Sequence, residues 1–578
     1  MTSGFKVASR PVPSKSNLPD FLHPIVRRIL SSRGILSADD LDISLSGLSS
    51  FESLYHIDRA AALICHHIAA GSKILIIGDY DADGATSIAV AIRALRGMGA
   101  NNVDYLVPNR FDFGYGLTPE IVEVAQYAKP SLIITVDNGI SSVEGVKLAK
   151  SMGIQVLVTD HHLPGKTLPD ADAIVNPNQE NDLFPSKNLA GVGVIFYVMS
   201  AVRQILRREG WFDIKGINEP RLAALLDLVA LGTVADVVPL DQNNRRLVAY
   251  GLKQIKYKNC QVGLLALLEV AGKTAEHVSS TDLGFVLGPR LNAAGRLADI
   301  SLGIECLLSD DLEKCLEIAA QLTKLNDERK NIELEMKERA FSLINEAVKQ
   351  SDFKGENFAF SVFHRDWHQG VVGIVAARIK DRFHRPAIAF ALVEEGIIKG
   401  SARSITGINI RDALESVATK HPNLIDSFGG HAAAAGLTIK LGNLAKFTKY
   451  FTNTIRDLLT EENLQQTIFT DGVLEGKDFS VELATQIEQI SPWGQKFPEP
   501  KFFGEFIIRE RRVVGKVHGR LVLEIDNKLE NFPAIAFGAA EEDWFLNATR
   551  IKAVYYLGIN RYRGKETLQL KVEWAEAV

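Results

Sequence analysis

The sequence predicts an α/β protein built from a parallel-sheet domain, a long connecting helix, a smaller α/β domain and a C-terminal β-barrel. Three observations predict this class. Over residues 73–238, short apolar runs that end in polar residues alternate with helical segments; residues 309–351 contain neither Gly nor Pro; and about the last hundred residues contain short β-like runs. The 578 residues also exceed a usual domain length of about 100–150 residues, which predicts several cores.

The predicted parallel sheet accounts for the first half of the chain. Its strand-like runs are apolar and each is followed by a helical segment, which is typical of parallel α/β sheets. The runs are KILIIGDYDADG, VDYLVPNR, SLIITVDNG, IQVLVTDHH and ADAIVNP. Because ligands bind at the carboxyl ends of strands in open α/β sheets, the carboxylates that end these runs mark the expected functional edge.

The remaining elements follow in chain order. Residues 309–351 are rich in Leu, Glu, Lys and Ala and predict one long helix or two in series. The smaller α/β domain is predicted from FAFSVFH, RPAIAFAL and GIIKGSARS, which alternate with helical stretches such as VVGIVAARIKDRF. An OB-like barrel of about five strands is predicted from FFGEFIIRERRVVG, RLVLEID, PAIAFG, IKAVYYLGI and ETLQLKVEWA. The expected domain bounds are 1–47 for an N-terminal segment, then 48–308, 309–351, 352–459 and 460–578.

Composition excludes several classes of protein. With 46% hydrophobic and 23% charged residues, the chain is neither disordered nor collagen-like. Its start lacks an apolar signal-peptide core and its longest apolar run is too short to cross a bilayer, so we expect no membrane role. A reducing, cytoplasmic compartment without structural zinc is predicted from four scattered cysteines, Cys65, Cys260, Cys306 and Cys315. The net charge of −5 means that any nucleic-acid site needs a local concentration of positive charge.

Side chains that can bind metal ions collect at the predicted strand ends. They are Asp79, Asp81, Asp83, Asp137, Asp160, His161, His162 and Asp236. Taken singly, a D-x-D or VDNG motif is most often a solvated turn, and adjacent histidines are most often surface residues. Asp236 differs, because a carboxylate among apolar residues is costly unless it is paired or metal-bound. Together these side chains predict a site of carboxylates and imidazoles, which suits Mn²⁺ or Mg²⁺ better than zinc.

The order of these motifs resembles a known superfamily. DYDADG, VDNG, TDHH and GTVADVVPL resemble motifs I to IV of the DHH phosphoesterases. RLNAAGR, WHQGVVGIVA, GSARS and FGGHAAAAG resemble the RecJ branch with its DHH-associated domain, and the resemblance extends from about Leu48 to the C-terminus. It implies a 5′→3′ exonuclease specific for single-stranded DNA, which releases mononucleotides in DNA repair and recombination. It also implies two divalent ions, Mn²⁺ or Mg²⁺, which at about 3.5–4 Å separation activate water for in-line attack on phosphorus.

The resemblance assigns roles within the metal site. The implied ligands are Asp79, Asp81, Asp83, Asp137, His161 and Asp236. Asp137 would bridge the two ions and Asp81 would face one of them. The other ion would be held by Asp83, His161 and Asp236, whereas Asp79 is assigned to neither. His162 would contact the scissile phosphate or act as an acid toward the leaving oxygen.

Glycine-rich and arginine-containing motifs predict the substrate contacts. GSARS is expected to form a glycine-introduced loop, and the alanines of FGGHAAAAG are expected to open a helix whose free amides cradle phosphate. Tight turns and ion pairs are the alternatives for these residues. By resemblance, the substrate-binding residues are Arg110, Arg290, Arg296, Ser401, Arg403 and His431. Arg110 and Arg403 would hold the terminal 5′ phosphate. The cluster of basic residues in RERRVVGKVHGR independently predicts either a surface that follows the single-strand backbone or a solvated hairpin.

Two other functions are compatible with parts of this pattern. A DHH phosphoesterase acting on short oligonucleotides, cyclic dinucleotides or pyrophosphate needs only the two α/β domains, whereas this chain adds a barrel with a basic cluster. A non-catalytic binder of the same fold should lack metal ligands, whereas every expected position is filled. Single-stranded DNA is the expected partner, a helicase and a single-strand-binding protein are candidate partners, and a monomer is the expected state. We also expect truncation near Leu464 to leave the metal site working.

Overall fold

The computed structural model describes residues 5–108, 116–350, 357–525, 530–562 and 564–578. The chain forms two compact units. The larger unit consists of residues 9–323 and 469–578, and the smaller unit consists of residues 1–8 and 324–468. The N-terminal segment from residue 9 onward, the parallel sheet and the barrel therefore share one unit, which the smaller unit interrupts in sequence.

The first elements of the chain include the five strands of the parallel sheet and the helices around it. They are β1 (Lys6–Ser9), α1 (Pro24–Ser31), α2 (Ile57–Ala69), β2 (Ile74–Gly78), α3 (Ala82–Gly97), β3 (Val103–Leu106), α4 (Pro119–Ala125), β4 (Leu132–Val136), α5 (Val143–Ser151), β5 (Gln155–Thr159) and β6 (Ala173–Val175). The sheet has the order β3-β2-β4-β5-β6 and all its pairs are parallel, as predicted.

Burial on both faces explains why these strands are apolar throughout. One face, with residues such as Ile77 and Ile133, packs against α4 and α5 through Ile121 and Val146. The opposite face is covered by helices that include α3. A strand covered on both sides cannot alternate apolar and polar residues, so its polar residues begin where the strand ends. This places DYDADG, VDNG and TDHH at one edge of the sheet.

Helices fill the rest of the first half of the larger unit. They are α6 (Gly191–Arg208), α7 (Trp211–Lys215), α8 (Leu226–Ala235), α9 (Gln242–Lys256), α10 (Val262–Val270), α11 (Ser280–Asp282), a π-helical turn (Leu283–Leu287), α12 (Gly288–Leu297) and α13 (Ser301–Leu308). The predicted connecting helix is a single helix, α14 (Leu312–Gln350). Among the described residues, every helix is too short or too polar to span a bilayer.

The smaller unit contains a mixed sheet between two layers of helices. Its elements are β7 (Phe360–Phe363), α15 (Val372–Phe383), β8 (Ala387–Glu394), β9 (Ile397–Arg403), α16 (Ile410–Lys420), β10 (Ser427–Gly430), β11 (Ala434–Lys440), α17 (Leu444–Leu458) and α18 (Glu461–Leu464). The strand order is β10-β11-β9-β8-β7. One face packs on α16 and α17, and the other packs on α14 and α15, so this α/β domain is confirmed.

Two local predictions in this unit are wrong. The alanines of FGGHAAAAG do not open a helix, because Ala434 begins β11, which pairs antiparallel with β9 opposite Arg403. GSARS does not form a loop, because Gly400–Arg403 lies inside β9. In both cases pairing along a sheet overrides the local preference of alanine for helix and of glycine for loop, and small residues allow close strand packing.

The C-terminal elements complete the larger unit as a barrel. They are β12 (Thr467–Thr470), α19 (Val481–Gln489), β13 (Phe502–Val514), β14 (His518–Ile525), β15 (Asn531–Ala536), α20 (Asp543–Asn547), β16 (Arg550–Tyr562) and β17 (Lys565–Ala577). The barrel is closed in the order β13-β14-β15-β17-β16, as predicted for an OB-like fold. Short strands β1 and β12 pair as a separate two-stranded sheet.

A buried ion pair joins the N-terminal segment to the region before the barrel. Arg33 donates to both carboxylate oxygens of Asp471 at 2.6 and 2.9 Å, and to the carbonyl of Pro498 at 2.8 Å. The side chains of both charged residues are fully buried. A buried carboxylate requires such a partner, so this pair makes the N-terminal segment part of the larger unit.

Removal of this partner should destabilise the larger unit. We expect Arg33→Ala to lower the free energy of unfolding by about 3–5 kcal/mol, because the buried Asp471 would keep only Arg10, whose Nε is 3.9 Å away, as a cationic neighbour. Arg27→Ala is the matched control, since Arg27 pairs with the exposed Asp20 and such pairs contribute about 0–1 kcal/mol. Urea unfolding followed by tryptophan fluorescence measures both changes. Equal effects of the two variants would contradict the structural role of Arg33.

Candidate metal centre

The DYDADG turn places two carboxylates at the end of β2. Asp79 follows the strand directly, and Asp81 is the N-cap of α3, where its Oδ1 accepts hydrogen bonds from the amides of Asp83 (2.9 Å) and Gly84 (3.1 Å). A Cβ atom on Gly84 would lie 2.3 Å from the carbonyl oxygen of Asp79, so only glycine fits there. The turn is therefore fixed by capping and by close backbone packing.

Asp83 lies in the first turn of α3 and reaches the N-terminus of α6. Its Oδ2 accepts from the amide of Gly191 at 2.7 Å, and its Oδ1 accepts from the amide of Val192 at 2.9 Å. A Cβ atom on Gly191 would lie 2.5 Å from the Cβ of Asp137. Helix α6 thus directs its positive end at a buried carboxylate and abuts the next strand end.

Asp137 follows β4 in a left-handed backbone conformation, with φ of 61°. Its amide donates to the carbonyl of Thr159 at 3.1 Å. The neighbouring Asn138 donates from its side-chain amide to the carbonyls of Val136 and Ile77, at 2.9 and 3.2 Å. Asp and Asn tolerate this conformation better than most residues, which explains the VDNG motif as a turn that directs the Asp137 side chain toward the cluster.

The TDHH motif is organised by its first acidic residue, Asp160. This buried carboxylate accepts from the amides of Ile140, His161 and His162 and from Nδ1 of His162, at 2.7–3.0 Å. Asn176 and Asn178 donate to the backbone carbonyls of the two histidines. Asp160 and the two asparagines hold the histidines in place, a role that the sequence analysis did not predict. The only sequence signal for the asparagines is their N-P-N spacing after β6.

His161 lies at the centre of the cluster. Its Nε2 is 3.0 Å from Oδ1 of Asp137, 3.5 Å from Oδ2 of Asp236 and 4.0 Å from Oδ2 of Asp83. Asp236 is the C-cap of α8, whereas the other residues of the cluster follow strands of the parallel sheet. The fold therefore brings distant segments of the chain to one point at the carboxyl edge of the sheet.

The potential ligand atoms form overlapping groups. Within each group all ligand atoms lie within 4.8 Å of one another, and the groups are Asp79–Asp81–Asp137, Asp83–His161–Asp236 and Asp137–His161–His162. The resemblance assigned Asp79 to neither ion, and the structure places it in one group with Asp81. The structure also brings together Asp83, His161 and Asp236, the three residues that the resemblance assigned to one ion. Asp137 belongs to two groups, as a bridging carboxylate would.

The electrostatics of the cluster favour a bound cation. Burial and then the charge of Asp81 raise the pKa of Asp83 to about 7, despite the two amides that donate to it. Burial and then the charges of Asp83 and Asp81 raise the pKa of Asp137 and of Asp236 well above the usual range. So many carboxylates cannot ionise together without positive charge between them. A divalent ion supplies that charge, and the carboxylate and imidazole donors fit Mn²⁺ or Mg²⁺.

His162 differs from its neighbour in its environment. Burial alone would lower the pKa of its ring, but the hydrogen bond to Asp160 and the charges of Asp160 and Asp79 outweigh burial and raise this pKa. The bond from Nδ1 to Asp160, 2.8 Å long, also fixes the ring orientation. His162 is therefore an oriented imidazole whose protonated form is stabilised by the neighbouring carboxylates.

RLNAAGR in α12 supports the DYDADG turn. Oδ1 of Asn292 accepts from the amide of Ala82 at 2.8 Å, and a Cβ atom on Gly295 would lie 1.9 Å from the carbonyl oxygen of Tyr80. Arg290 is buried and donates to Thr323 Oγ1 and to the carbonyl of Val286. Arg296 is half-buried in the last turn of α12. Their substrate contacts stay predictions.

The smaller unit brings together two of its three predicted site residues. Arg403 donates from one guanidinium nitrogen to Ser401 Oγ at 2.9 Å, and burial lowers the pKa of Arg403. A Cβ atom on Gly373 would lie 2.8 Å from Arg403, so the WHQGVVG motif provides space for this guanidinium. His431 is exposed in the turn between β10 and β11. Trp367, also from the WHQGVVG motif, is buried in the core of this unit.

Arg110, with the nearby Phe111, Phe113 and Tyr115, lies outside the described residues. Its predicted contact with the 5′ phosphate therefore stays a prediction.

The four cysteines are free thiols.

Comparison with known proteins decides the family. Family models match the DHH family N-terminal domain at residues 73–233, the DHHA1 domain at 355–457 and the RecJ OB domain at 470–574. The single-stranded-DNA-specific exonuclease RecJ of Salmonella typhimurium is 47% identical over 559 residues, which cover 96% of this chain and 96% of that protein. The chain belongs to the RecJ family. Because a RecJ OB domain matches the barrel, the family differs from the two-domain phosphoesterases considered as an alternative.

Solved structures of RecJ have the same fold. A crystal structure of RecJ from Thermus thermophilus in complex with Mn²⁺ aligns with a TM-score of 0.77 and 27% identity, covering 96% of this chain and 76% of that chain. A structure of RecJ from the same source in complex with Mg²⁺ aligns with a TM-score of 0.72 and 26% identity, covering 96% and 75%. The RecJ architecture thus extends over nearly the whole chain.

The raised pKa values predict an unusual pH dependence of stability. In the metal-free protein, the folded state binds protons that the unfolded chain releases. These protons contribute to the free energy of unfolding at low pH, and the contribution is lost as the pH rises to about 7, the pKa of Asp83. We expect the Tm in EDTA to fall between about pH 5 and about pH 7, and Mn²⁺ to raise the Tm more at the higher pH.

Differential scanning fluorimetry measures this dependence, and Asp137→Asn is the control. Asparagine removes one of the repelling carboxylates, so the decline in metal-free Tm should become shallower and the shift caused by Mn²⁺ should disappear. A metal-free Tm that rises over the same pH window would show that the cluster does not hold raised pKa values.

Proposed function

We propose that this chain is a metal-dependent exonuclease that degrades single-stranded DNA from the 5′ end and releases mononucleotides during DNA repair and recombination. The observation that carries the proposal is the complete carboxylate and histidine cluster at the carboxyl edge of the sheet. A non-catalytic relative would not need to hold so many repelling carboxylates together. The RecJ relatives, named single-stranded-DNA-specific exonucleases, support the substrate.

The cofactors we propose are two divalent ions, Mn²⁺ or Mg²⁺. One would be held by Asp79, Asp81 and Asp137, and the other by Asp83, His161 and Asp236, with Asp137 between them. When bound, such ions activate water for attack on phosphorus and neutralise the charge that develops on the phosphate. The Thermus structures with Mn²⁺ and Mg²⁺ support the choice of ion.

Protein side chains would supply proton donation and phosphate binding. His162, oriented by Asp160 and with its pKa raised by the neighbouring carboxylates, would donate a hydrogen bond to the scissile phosphate or a proton to the leaving oxygen. Arg403 and Ser401 would bind the terminal 5′ phosphate, because a guanidinium held by a neighbouring hydroxyl is preset for phosphate oxygens. The other proposed substrate contacts are Arg110, Arg290, Arg296 and His431.

The setting we propose is a monomer in the cytoplasm. Four free thiols suit a reducing compartment. Because the proposed substrate is a single strand, a duplex must first be opened, so a helicase is a proposed partner and a single-strand-binding protein is a second. Both would act before the strand reaches the metal centre.

A polarity assay with a metal-ligand variant tests the function. Single strands labelled at either end, with 5′ phosphate or 5′ hydroxyl, and a blunt duplex are incubated with Mn²⁺. We expect mononucleotides from the 5′ end of single strands only. Asp137→Asn should lower the rate by more than tenfold, a barrier increase above about 1.4 kcal/mol, while single-strand affinity stays within about twofold.

The outcomes of this assay separate the candidate functions. Digestion from the 3′ end would exclude the proposed polarity. Rapid cleavage of di- and trinucleotides or cyclic dinucleotides without cleavage of long strands would favour the two-domain type of activity. Retention of more than a tenth of the rate by Asp137→Asn at saturating Mn²⁺ would exclude the bridging role.

The barrel carries the proposed surface for the strand backbone. In the basic segment, Arg509 is paired with Glu524, and Arg511 donates to the carbonyls of Phe545 and Ala548. Arg512 and Arg520 instead face each other across β13 and β14, and both reach solvent. Neither forms an ion pair with another residue in the part of the chain that the structure describes. Two like charges side by side suit a phosphate backbone.

Replacement within this arginine pair should reduce the salt dependence of binding. We expect Arg520→Ala to weaken the binding of a long single strand, measured in EDTA, and to lower the slope of log affinity against log salt by about 0.7. Arg509→Ala is the matched control, because its charge is already neutralised by Glu524. Equal slopes for Arg520→Ala and the unchanged protein would show that DNA does not contact this face.

A further inference from the structure

The segment from Ile490 to Pro498, called here the docking segment, joins α19 to the first barrel strand. It contains the motif SPWGQKFP, which none of the functions above uses. Two backbone carbonyls of this segment accept hydrogen bonds from the helical part of the larger unit. The amide of Leu240 donates to the carbonyl of Gln495 at 2.8 Å, and Ser280 Oγ donates to the carbonyl of Trp493 at 2.6 Å.

A buried arginine strengthens this attachment. Arg245 of α9 donates to the carbonyl of Ile490 at 3.3 Å, and its guanidinium lies 3.9 Å from the ring centre of Phe497. Phe497 in turn stacks on Trp493, with ring centres 5.3 Å apart. A cation held over an aromatic ring in a buried place is a directional contact. The docking segment is therefore fixed to the helices and does not act as a loose linker.

The same contacts reach the loop that follows a metal-site carboxylate. Leu240 lies four residues after Asp236, and the carbonyl of Pro239 between them accepts from the side chain of Asn244. A Cβ atom on Gly494 would lie 2.6 Å from Cδ1 of the buried Leu240. The loop from Asp236 to Leu240 is thus held by α8 at its start and by the docking segment at its end.

We propose that the docking segment is a positioning element for Asp236, so that cation binding at the sheet edge depends on the docked barrel region. The proposal rests on the metal site of the proposed function. A ligand carboxylate binds well only when its surroundings fix its position, and loss of such support commonly weakens metal affinity by about 10- to 100-fold. The docking segment thereby carries a role at the metal centre, although it is distant in sequence from every ligand.

This inference changes one expectation drawn from the sequence. Truncation near Leu464 would remove the docking segment and with it the support of Leu240, Arg245 and Arg33. The metal site of such a fragment should be impaired, contrary to the expectation that it would keep working. Point variants of the full chain are therefore the appropriate test.

Gly494→Ala tests the proposal directly. The added methyl group would displace Leu240, and we expect the Kd for Mn²⁺, measured by isothermal titration calorimetry, to rise about tenfold. Single-strand binding in EDTA should stay unchanged, and excess Mn²⁺ should restore cleavage. Gly442→Ala is the matched control, because a Cβ atom there would meet nothing within 4 Å. Ser280→Ala, which removes the hydroxyl donor to Trp493, should weaken Mn²⁺ binding in the same direction and serves if Gly494→Ala does not fold.

A double variant tests whether Gly494→Ala weakens Mn²⁺ binding by displacing Leu240. In Leu240→Ala protein the methyl group on residue 494 has space, so its effect on the Kd for Mn²⁺ should shrink to about twofold or less. An unchanged Kd in both Gly494→Ala and Ser280→Ala, or an equal effect in the Leu240→Ala background, would overturn the proposal. Failure of the unchanged protein to bind Mn²⁺ would instead overturn the metal site itself, so the two failures are distinguishable.

Discussion

Mutual repulsion among buried carboxylates is the constraint on which the rest of this structure depends. Asp83, Asp137 and Asp236 lie around His161 at distances of 3.0–4.0 Å. Asp83 and Asp137 are buried and Asp236 is half-buried, so little water screens the three carboxylates. Such a cluster would disperse if its members were mobile. The fold prevents this by fixing each carboxylate through backbone amides, caps and close glycine contacts, at the cost of stability in the metal-free state.

The supports are of different kinds and come from distant parts of the chain. Asp83 is held by the N-terminus of α6, and the DYDADG turn is held by Asn292 and by the glycine of RLNAAGR. Asp160 has no ligand role in this arrangement and instead orients His162. The motifs of this chain are therefore of two kinds: those that carry the candidate metal ligands, and those that hold these residues in position.

Sequence reasoning identified the first class far better than the second. The five parallel strands were predictable because strands buried on both faces are apolar throughout, and the carboxylates at their ends shared one edge by topology. The grouping of Asp79 and Asp81 with Asp137, and the support by Asn176, Asn178 and Asn292, depend on contacts between separate segments, which no local pattern encodes. FGGHAAAAG was misassigned for a related reason, since pairing with β9 decides its conformation and alanine content does not.

The discontinuity of the larger unit has a consequence for how the protein is made. Residues 324–468 are synthesised between its two parts, so the ligand-bearing segments leave the ribosome long before Asp471 and the docking segment. Domains fold as they emerge, at about 5–20 residues per second, and the early part must wait for its missing contacts. During that interval Arg33 has no buried carboxylate to pair with, and the loop after Asp236 lacks its second attachment. With the role proposed for the docking segment, a nascent chain completes the support of its cation site only after residues 490–498 have been translated, long after the segments that carry the carboxylates.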